Sequence, residues 1–273
     1  MPYAKIPGLT SRSFYYEDTG GSGPVIVFSH GFLMDHEMFD PQIDALKATY
    51  RCITWDQRGH GRTAGDRLSP FDFYDSADDL GGLLDFLKIQ DATLVGMSQG
   101  GFLSLRCALT NPDAVNALIL IDTEAGVMSA KQITGNDDLR TIWLTQGFSP
   151  ALGDMIANEI IGPGLNQQLW PGAGFWIAKW GLTKFVNLVQ TFNALITRDD
   201  ITAVLGAIKT PALVIHGSVD RSIPLSAGQA MAAGLNVTCQ VIQGAGHASC
   251  LTHPIETNEL ILPFLASLTP KTR

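Results

Sequence analysis

Residues 95–101 read VGMSQGG, a serine with glycine two places before it, two places after it and again at the third. The run ATLVGM (92–97) leading into it is apolar and of strand length. In the stretch that follows, QGGFLSLRCALT (99–110), Phe102, Leu105, Arg106 and Leu109 fall at helical spacing, and Asn111 and Pro112 end the pattern. A serine at so sharp a strand-to-helix turn is forced into a strained backbone conformation, with its hydroxyl raised above the sheet and glycines removing side chains that would collide. The alternative for Ser98 is a plain helix N-cap.

The rest of the chain repeats the strand and helix rhythm. RSFYYEDT (12–19), VIVFS (25–29), RCITWD (51–56), ALILID (117–122), ALVIHG (212–217) and TCQVIQ (238–243) read as further strands. Most are continuous apolar runs, the pattern of strands covered by helices on both faces, so a mostly parallel central sheet is expected. Leu80, Leu83, Leu84 and Leu87 form a stripe on a helix predicted over 76–88, with Ser76 and Asp79 as its start signal; Gly81 and Gly82 weaken it by about 1 kcal/mol each. Pro263 is expected to kink or restart the last helix, which begins near Pro254.

Between about 125 and 205 the alternation stops. Trp143, Trp170, Trp176 and Trp180, four of the five tryptophans, fall here with the run IIGPGLNQQLWPGAG (160–174). The composition shift predicts a helical cap inserted at 125–205 into a core of 1–124 and 206–273, with the tryptophans as candidates for the substrate pocket. Thr141 to Ala178 contains no lysine or arginine, which favours a neutral substrate with an apolar portion, although Arg62, Arg140 or Arg221 could reach the pocket from outside that stretch.

A serine hydroxyl needs a base. Of six histidines, His247 is the best placed, in the glycine-bearing loop QGAGHASC (243–250) after the last strand. His216 reads as a satisfied core residue, His36 and His253 as surface residues flanking helices, and His30 (SHGF) and His60 (RGHGR) lie in loops. The base needs an acid to fix its tautomer. Asp220 in HGSVDRSIP (216–224) gives the chain order Ser98, Asp220, His247; Asp122, in LIDTEAG with Glu124, is the fallback. Oxyanion donors are expected from the backbone N–H groups of Gln99 and of Phe32 in SHGFLMD (29–35).

DQRGHGRTA (56–64) matches the G-x-G-x-x-A dinucleotide pattern through Gly59, Gly61 and Ala64, but Gly65, Asp66, Ser69 and Pro70 follow, so it reads as a loop without the helix that pyrophosphate binding needs. Cys52, Cys107, Cys239 and Cys250 have no zinc-ligand spacing and read as buried, reduced thiols, of which only Cys250 stands near a candidate site residue. Apolar residues make up 45% of the 273 and net charge is −8 with scattered cations, which argues for a globular protein and against nucleic acid or anionic lipid as partners. The N-terminal stretch has no apolar run of signal-peptide length, and a soluble, cytoplasmic protein is expected.

SHGF, DQRGHGRT, GMSQGG, HGSVD and GAGH, in this order and spacing, resemble the α/β-hydrolase superfamily over nearly the whole chain. The family usually has serine where Thr63 stands. The resemblance implies the α/β-hydrolase fold with catalytic Ser98, Asp220 and His247, oxyanion donors at Phe32 and Gln99, and no metal or organic cofactor. A serine nucleophile is unlike the carboxylate of halide- and epoxide-cleaving members. Among serine members the chain looks like small bacterial lactonases and esterases, including acyl-homoserine lactone and enol-lactone hydrolases. Carbon–carbon bond hydrolases, cofactor-free perhydrolases and slow-turnover small-molecule receptors share the same residues, and fold alone does not choose among them.

Overall fold

A computed structural model describes residues 3–6, 13–63, 69–162, 170 and 172–268. Its strands are β1 (Tyr3–Lys5), β2 (Ser13–Asp18), β3 (Val25–Ser29), β4 (Arg51–Trp55), β5 (Ala92–Met97), β6 (Val115–Ile121), β7 (Ala212–Gly217) and β8 (Cys239–Ile242), in one sheet ordered β1-β2-β4-β3-β5-β6-β7-β8. β1 and β2 pair antiparallel at one edge, and every pair from β4 to β8 is parallel. This is the α/β-hydrolase fold expected from the sequence.

The helices are α1 (Asp40–Leu46), α2 (Phe73–Phe86), α3 (Gln99–Thr110), α4 (Ala130–Gln146), α5 (Pro150–Ile160), α6 (Gly172–Leu182), α7 (Val189–Thr197), α8 (Leu225–Gly234), α9 (Ser249–Thr252) and α10 (Pro254–Ser267). Strand side chains alternate between two cores, which is why the strands are apolar throughout. Val27, Leu94, Leu118 and Leu120 face Leu80, Leu83 and Leu84 of α2, Phe102 and Leu105 of α3 and Met231 of α8. Ile26, Phe28, Val95, Ile119 and Ile121 face Leu46 of α1 and Ile261 and Leu265 of α10, in a cluster continuous with Trp143, Trp176 and Trp180.

Two sequence expectations are corrected. α2 starts at Phe73, three residues before Ser76, because Asp72 caps it: its carboxylate accepts from the Tyr74 and Asp75 N–H groups while Asp75 returns a bond to the Asp72 N–H. Ser76 instead donates to the Asp72 carbonyl, and Asp79 pairs with Arg58. Gly82 in this helix admits the side chain of Ile6, which a Cβ would overlap. Pro263 does not break α10. Pro263 and Glu259, whose carbonyl it leaves without an amide donor, both lie on the exposed face, where the carbonyl is open to solvent and the missing bond costs least.

α4 to α7 lie between β6 and β7 in the chain, and the ends of this segment meet. The Ile201 N–H donates to the Ala125 carbonyl at 3.0 Å. Arg198, 6% exposed, donates to the Gly126 carbonyl at 2.9 Å and pairs with the Glu124 carboxylate. Breaking such a buried pair strands a charge. Glu124→Ala is therefore expected to cost about 3–5 kcal/mol, read as a lower midpoint in urea denaturation.

Candidate active site

Ser98 stands between β5 and α3 with φ 51° and ψ −118°, a left-handed conformation costing about 1–3 kcal/mol for a residue with a side chain. Its backbone is pinned at both groups. The Ser98 N–H donates to the Ile121 carbonyl at 3.0 Å, and the Thr123 hydroxyl donates to the Ser98 carbonyl at 2.8 Å. Glycine is required on either side of the turn: a Cβ at Gly96 would run into the Gly100 backbone, and one at Gly100 into the Ser29 carbonyl.

Three loops at the carboxyl ends of the strands complete a chain of hydrogen bonds. The Ser98 hydroxyl lies 3.0 Å from His247 Nε2, and His247 Nδ1 lies 2.8 Å from Asp220 Oδ2. With the tautomer assigned from these partners, Nδ1–H donates to the carboxylate and Nε2 is free to take the serine proton. The other Asp220 oxygen accepts from the Ser222 and Ile223 N–H groups at 2.9 and 3.0 Å. Burial would raise the Asp220 pKa, but the charge of His247 and the bonds from His216 and His247 outweigh it and hold the carboxyl at about 2. Burial would lower His247, but Asp220 outweighs it, so His247 is raised above its ordinary value.

Asp122, the fallback acid, does not bond His247. Fully buried with φ 48°, it accepts from the Gly217 N–H and the Ser249 N–H, both at 2.8 Å, and so ties the end of β6 to the end of β7 and to α9. Burial, then the nearby Asp220 charge, pushes its pKa up to about 6. Glu124 is held by Arg198.

The loop after β3 carries a second strained residue, Leu33, with φ 63°. Its N–H donates to His60 Nε2 at 3.2 Å, and its carbonyl accepts from Trp180 Nε1 of α6 at 2.9 Å. His60 Nδ1 donates to the Arg58 carbonyl at 2.9 Å, and burial followed by the neighbouring His30 drives its pKa down to about 3, so it stays a neutral acceptor. These contacts fix the Phe32–Leu33 peptide. Among the described residues the Phe32 N–H has no hydrogen-bond acceptor, and the Gln99 N–H, first in α3, has no intrahelical one.

The roles of His60 and Trp180 escaped sequence reasoning, although glycines flanking His60 mark a place where backbones approach. His36 is corrected from surface to buried: Nδ1 donates to Asp56 Oδ1 at 2.8 Å because the chain folds the start of its 3₁₀ turn against β4. His253 is half-buried at the start of α10. The segment 56–63 is loop and a short 3₁₀ turn, and Ala64 of the dinucleotide-like pattern lies outside the described residues. Thr63 Oγ1 accepts from the Tyr15 N–H at 2.8 Å, a task for a hydroxyl that serine would perform as well. All four cysteines are free thiols, but Cys239 is only half-buried, at the sheet edge. Burial pushes the Cys250 thiol well above its usual range, away from thiolate chemistry.

Each of α4 to α7 reaches one of these loops. Gln132 of α4 donates to the Ser222 carbonyl at 2.8 Å, Ser222 Oγ to the Glu159 carbonyl of α5 at 2.9 Å, Trp180 to Leu33 as above, and Thr191 of α7 to the Arg58 carbonyl at 3.1 Å. Trp143 packs between Phe148 and Phe185, Trp176 against Phe175 and Lys179, and Trp170 is half-buried at the cluster's edge. Trp180 also lines a cleft of about 470 Å³ with Leu33, His60 and Lys179. Most of the run 160–174 lies outside the described residues. Two groups, Asp35 with His36 and Asp56, and Asp122 with His216 and Asp220, bring potential metal donors within 4.8 Å, but their carboxylates are engaged by protein partners. Among the described residues no helix is long and apolar enough to cross a membrane.

Residues 24–152 match the family model described as the alpha/beta hydrolase fold. A non-heme chloroperoxidase of Streptomyces lividans is 30% identical, over 93% of this chain and 96% of its own. The chain belongs to the α/β-hydrolase family. The enol-lactonase of Burkholderia xenovorans LB400 superposes with a TM-score of 0.86 at 24% identity, covering 97% of this chain and 100% of its own. Est816, described as an N-acyl homoserine lactone degrading enzyme, superposes with a TM-score of 0.78 at 24% identity, covering 96% and 100%.

Gly100→Ala is expected to cost about 3 kcal/mol, since the added methyl meets backbone that cannot rotate away. Thermal denaturation checks it, and an unchanged melting temperature would remove the close approach from the account of the turn.

Proposed function

We propose that this α/β-hydrolase cleaves a carboxylic ester through an acyl-enzyme, with a lactone bearing an apolar acyl portion, such as an N-acyl homoserine lactone, as the favoured substrate and short aliphatic esters as the next. The observation that carries it is the hydrogen-bond chain from Ser98 through His247 to Asp220, mounted on a strained turn. Ser98 attacks the carbonyl as His247 takes its proton, and the Phe32 and Gln99 N–H groups receive the oxyanion. His247 then protonates the leaving alcohol, which in a lactone stays tethered to the acyl group. Water, deprotonated by His247, releases the acid and restores Ser98.

Residues 125–205 act as the cap over this site, and Trp143, Trp170, Trp176 and Trp180 shape its apolar side. The preference for a neutral substrate draws support from how the nearby cations are occupied. Arg62 lies on the Tyr15 ring, Arg140 pairs with Asp137 at 2.6 Å, and Arg198 is held by Glu124, while Arg221, next to Asp220, is exposed and unpaired among the described residues. Lys179, directly after the cation-free stretch, turns to Asp35 and Glu37. The choice of a lactone draws separate support from the structural relatives described as an enol-lactonase and as an N-acyl homoserine lactone degrading enzyme. A second activity is favoured by the chloroperoxidase relative: hydrogen peroxide can replace water as the acceptor of the acyl group and leave as a peracid.

Ser98→Ala is expected to lower hydrolysis by at least about 1,000-fold and to abolish fluorophosphonate labelling. Asp220→Asn should cut kcat by about 10⁴-fold, with Asp122→Asn much milder; the reverse order reassigns the acid. Because His247 must be neutral to act and its pKa is raised, kcat/KM should fall as pH drops through a midpoint above about 6.5. A pH–rate profile with a lower midpoint contradicts this. Paired lactones and linear esters of equal chain length, assayed side by side with and without peroxide, decide the substrate.

A further inference from the structure

His216, at the end of β7, is only half the satisfied core histidine that the sequence suggests. The ring is fully buried. Its Nε2 lies 2.9 Å from the Ile223 carbonyl and 3.2 Å from Asp220 Oδ2. Both neighbours are acceptors, so Nε2 carries the proton. Nδ1 is buried with no hydrogen-bond partner. It packs against Gly228 of α8, where any Cβ would overlap the imidazole. Glycine at 228 is what lets the ring reach under the acid.

We propose that His216 is a positioning residue of the Ser98, His247 and Asp220 chain: its Nε2–H holds the same Asp220 oxygen that accepts from His247 and so limits how strongly the acid raises the basicity of His247. The inference rests on the proposed function, since it gives the acid of that site a second imidazole donor. A carboxylate oxygen has two lone pairs, and a donor on one draws charge from the other. With Ser222 and Ile223 on the far oxygen, Asp220 accepts three hydrogen bonds, and His216 Nε2, which also meets the Ile223 carbonyl at 2.9 Å, adds a contact of 3.2 Å to the oxygen shared with His247. Losing His216 leaves the shared oxygen to His247 alone, which favours the imidazolium and shifts its titration to higher pH.

The charged groups around the His216 ring act in known directions. Asp220 and Asp122, from the β7–α8 loop and the end of β6, favour its cation, and burial opposes it. His247, in the loop after β8, and His216 disfavour each other's cations. Glu124 also feels the ring but is paired with Arg198. α8 contributes no charged residue in Leu225–Gly234.

The test compares His216→Phe, which removes the donor, with His216→Gln, whose amide nitrogen can occupy the place of Nε2 but does not titrate. The His247 imidazole is titrated by NMR in a Ser98→Ala background, and pH–rate profiles are taken with Ser98 intact. His216→Phe should raise the His247 midpoint by about 0.5–1 pH unit, move the acid limb of kcat/KM by the same amount and lower kcat about tenfold with KM unchanged. His216→Gln should restore most of each. An unmoved midpoint in His216→Phe, or a glutamine variant displaced as far as the phenylalanine one, overturns the proposal. Should His216→Phe not fold, nitrogen-15 spectra of the native protein decide: a proton on Nε2 with Nδ1 bare supports it, and the opposite tautomer sinks it. The NMR titration does not depend on catalysis. Failure of the nucleophile assignment appears separately, as hydrolysis that survives Ser98→Ala.

Discussion

The site depends on one residue held where it does not want to be. Ser98 keeps a positive φ because its N–H is spent on Ile121 and its carbonyl on Thr123, so the cost is met by the pairing of β5 with the end of β6. This couples the position of a single hydroxyl to the register of the central sheet, in which Met97 aligns with Ile121. Leu33 and Asp122 repeat the device at the ends of β3 and β6, each strained and each fixed by hydrogen bonds at more than one atom. Three residues at positive φ, all at the carboxyl edge of one sheet, mark where local comfort yields to precise placement.

Two buried carboxylates near one base take opposite electrostatic characters. Asp220 collects imidazole and backbone donors and stays ionised, whereas Asp122, with two backbone donors and a like charge nearby, is pushed towards neutrality. Ionisation beside His247 suits a group that stabilises an imidazolium. Asp122, with each oxygen accepting a backbone N–H, is a structural tie across β6, β7 and α9. Environments that separate two pKa values in this way also separate two tasks.

Much of this was legible in the chain. Seven strands were readable within a residue or two, most of them as continuous apolar runs, because strands buried on both faces leave no polar alternation to blur them. The glycine-serine turn placed Ser98, and chain order brought His247 and Asp220 to it. What escaped notice has a common cause. The Asp72 cap and the tie from His60 to Leu33 are single hydrogen bonds or small sets of them, and periodicity carries no trace of such bonds. His36 looked exposed because the acid that buries it, Asp56, lies on another strand's end, 20 residues away. β1 is three residues long, too short to leave a pattern.

The segment between β6 and β7 is closed near its ends by a backbone hydrogen bond from Ile201 to Ala125. α4, α6 and α7 donate to main-chain carbonyls of the underlying loops, those of Ser222, Leu33 and Arg58, and Lys179 of α6 also pairs with the Asp35 and Glu37 carboxylates. Every residue has a carbonyl, so these three ties ask of α4, α6 and α7 only a donor at the right height, whereas the Lys179 pairs also depend on the side chains they meet. The height of each donor above the sheet, more than the identity of the loop residue beneath it, thus decides whether these three ties form.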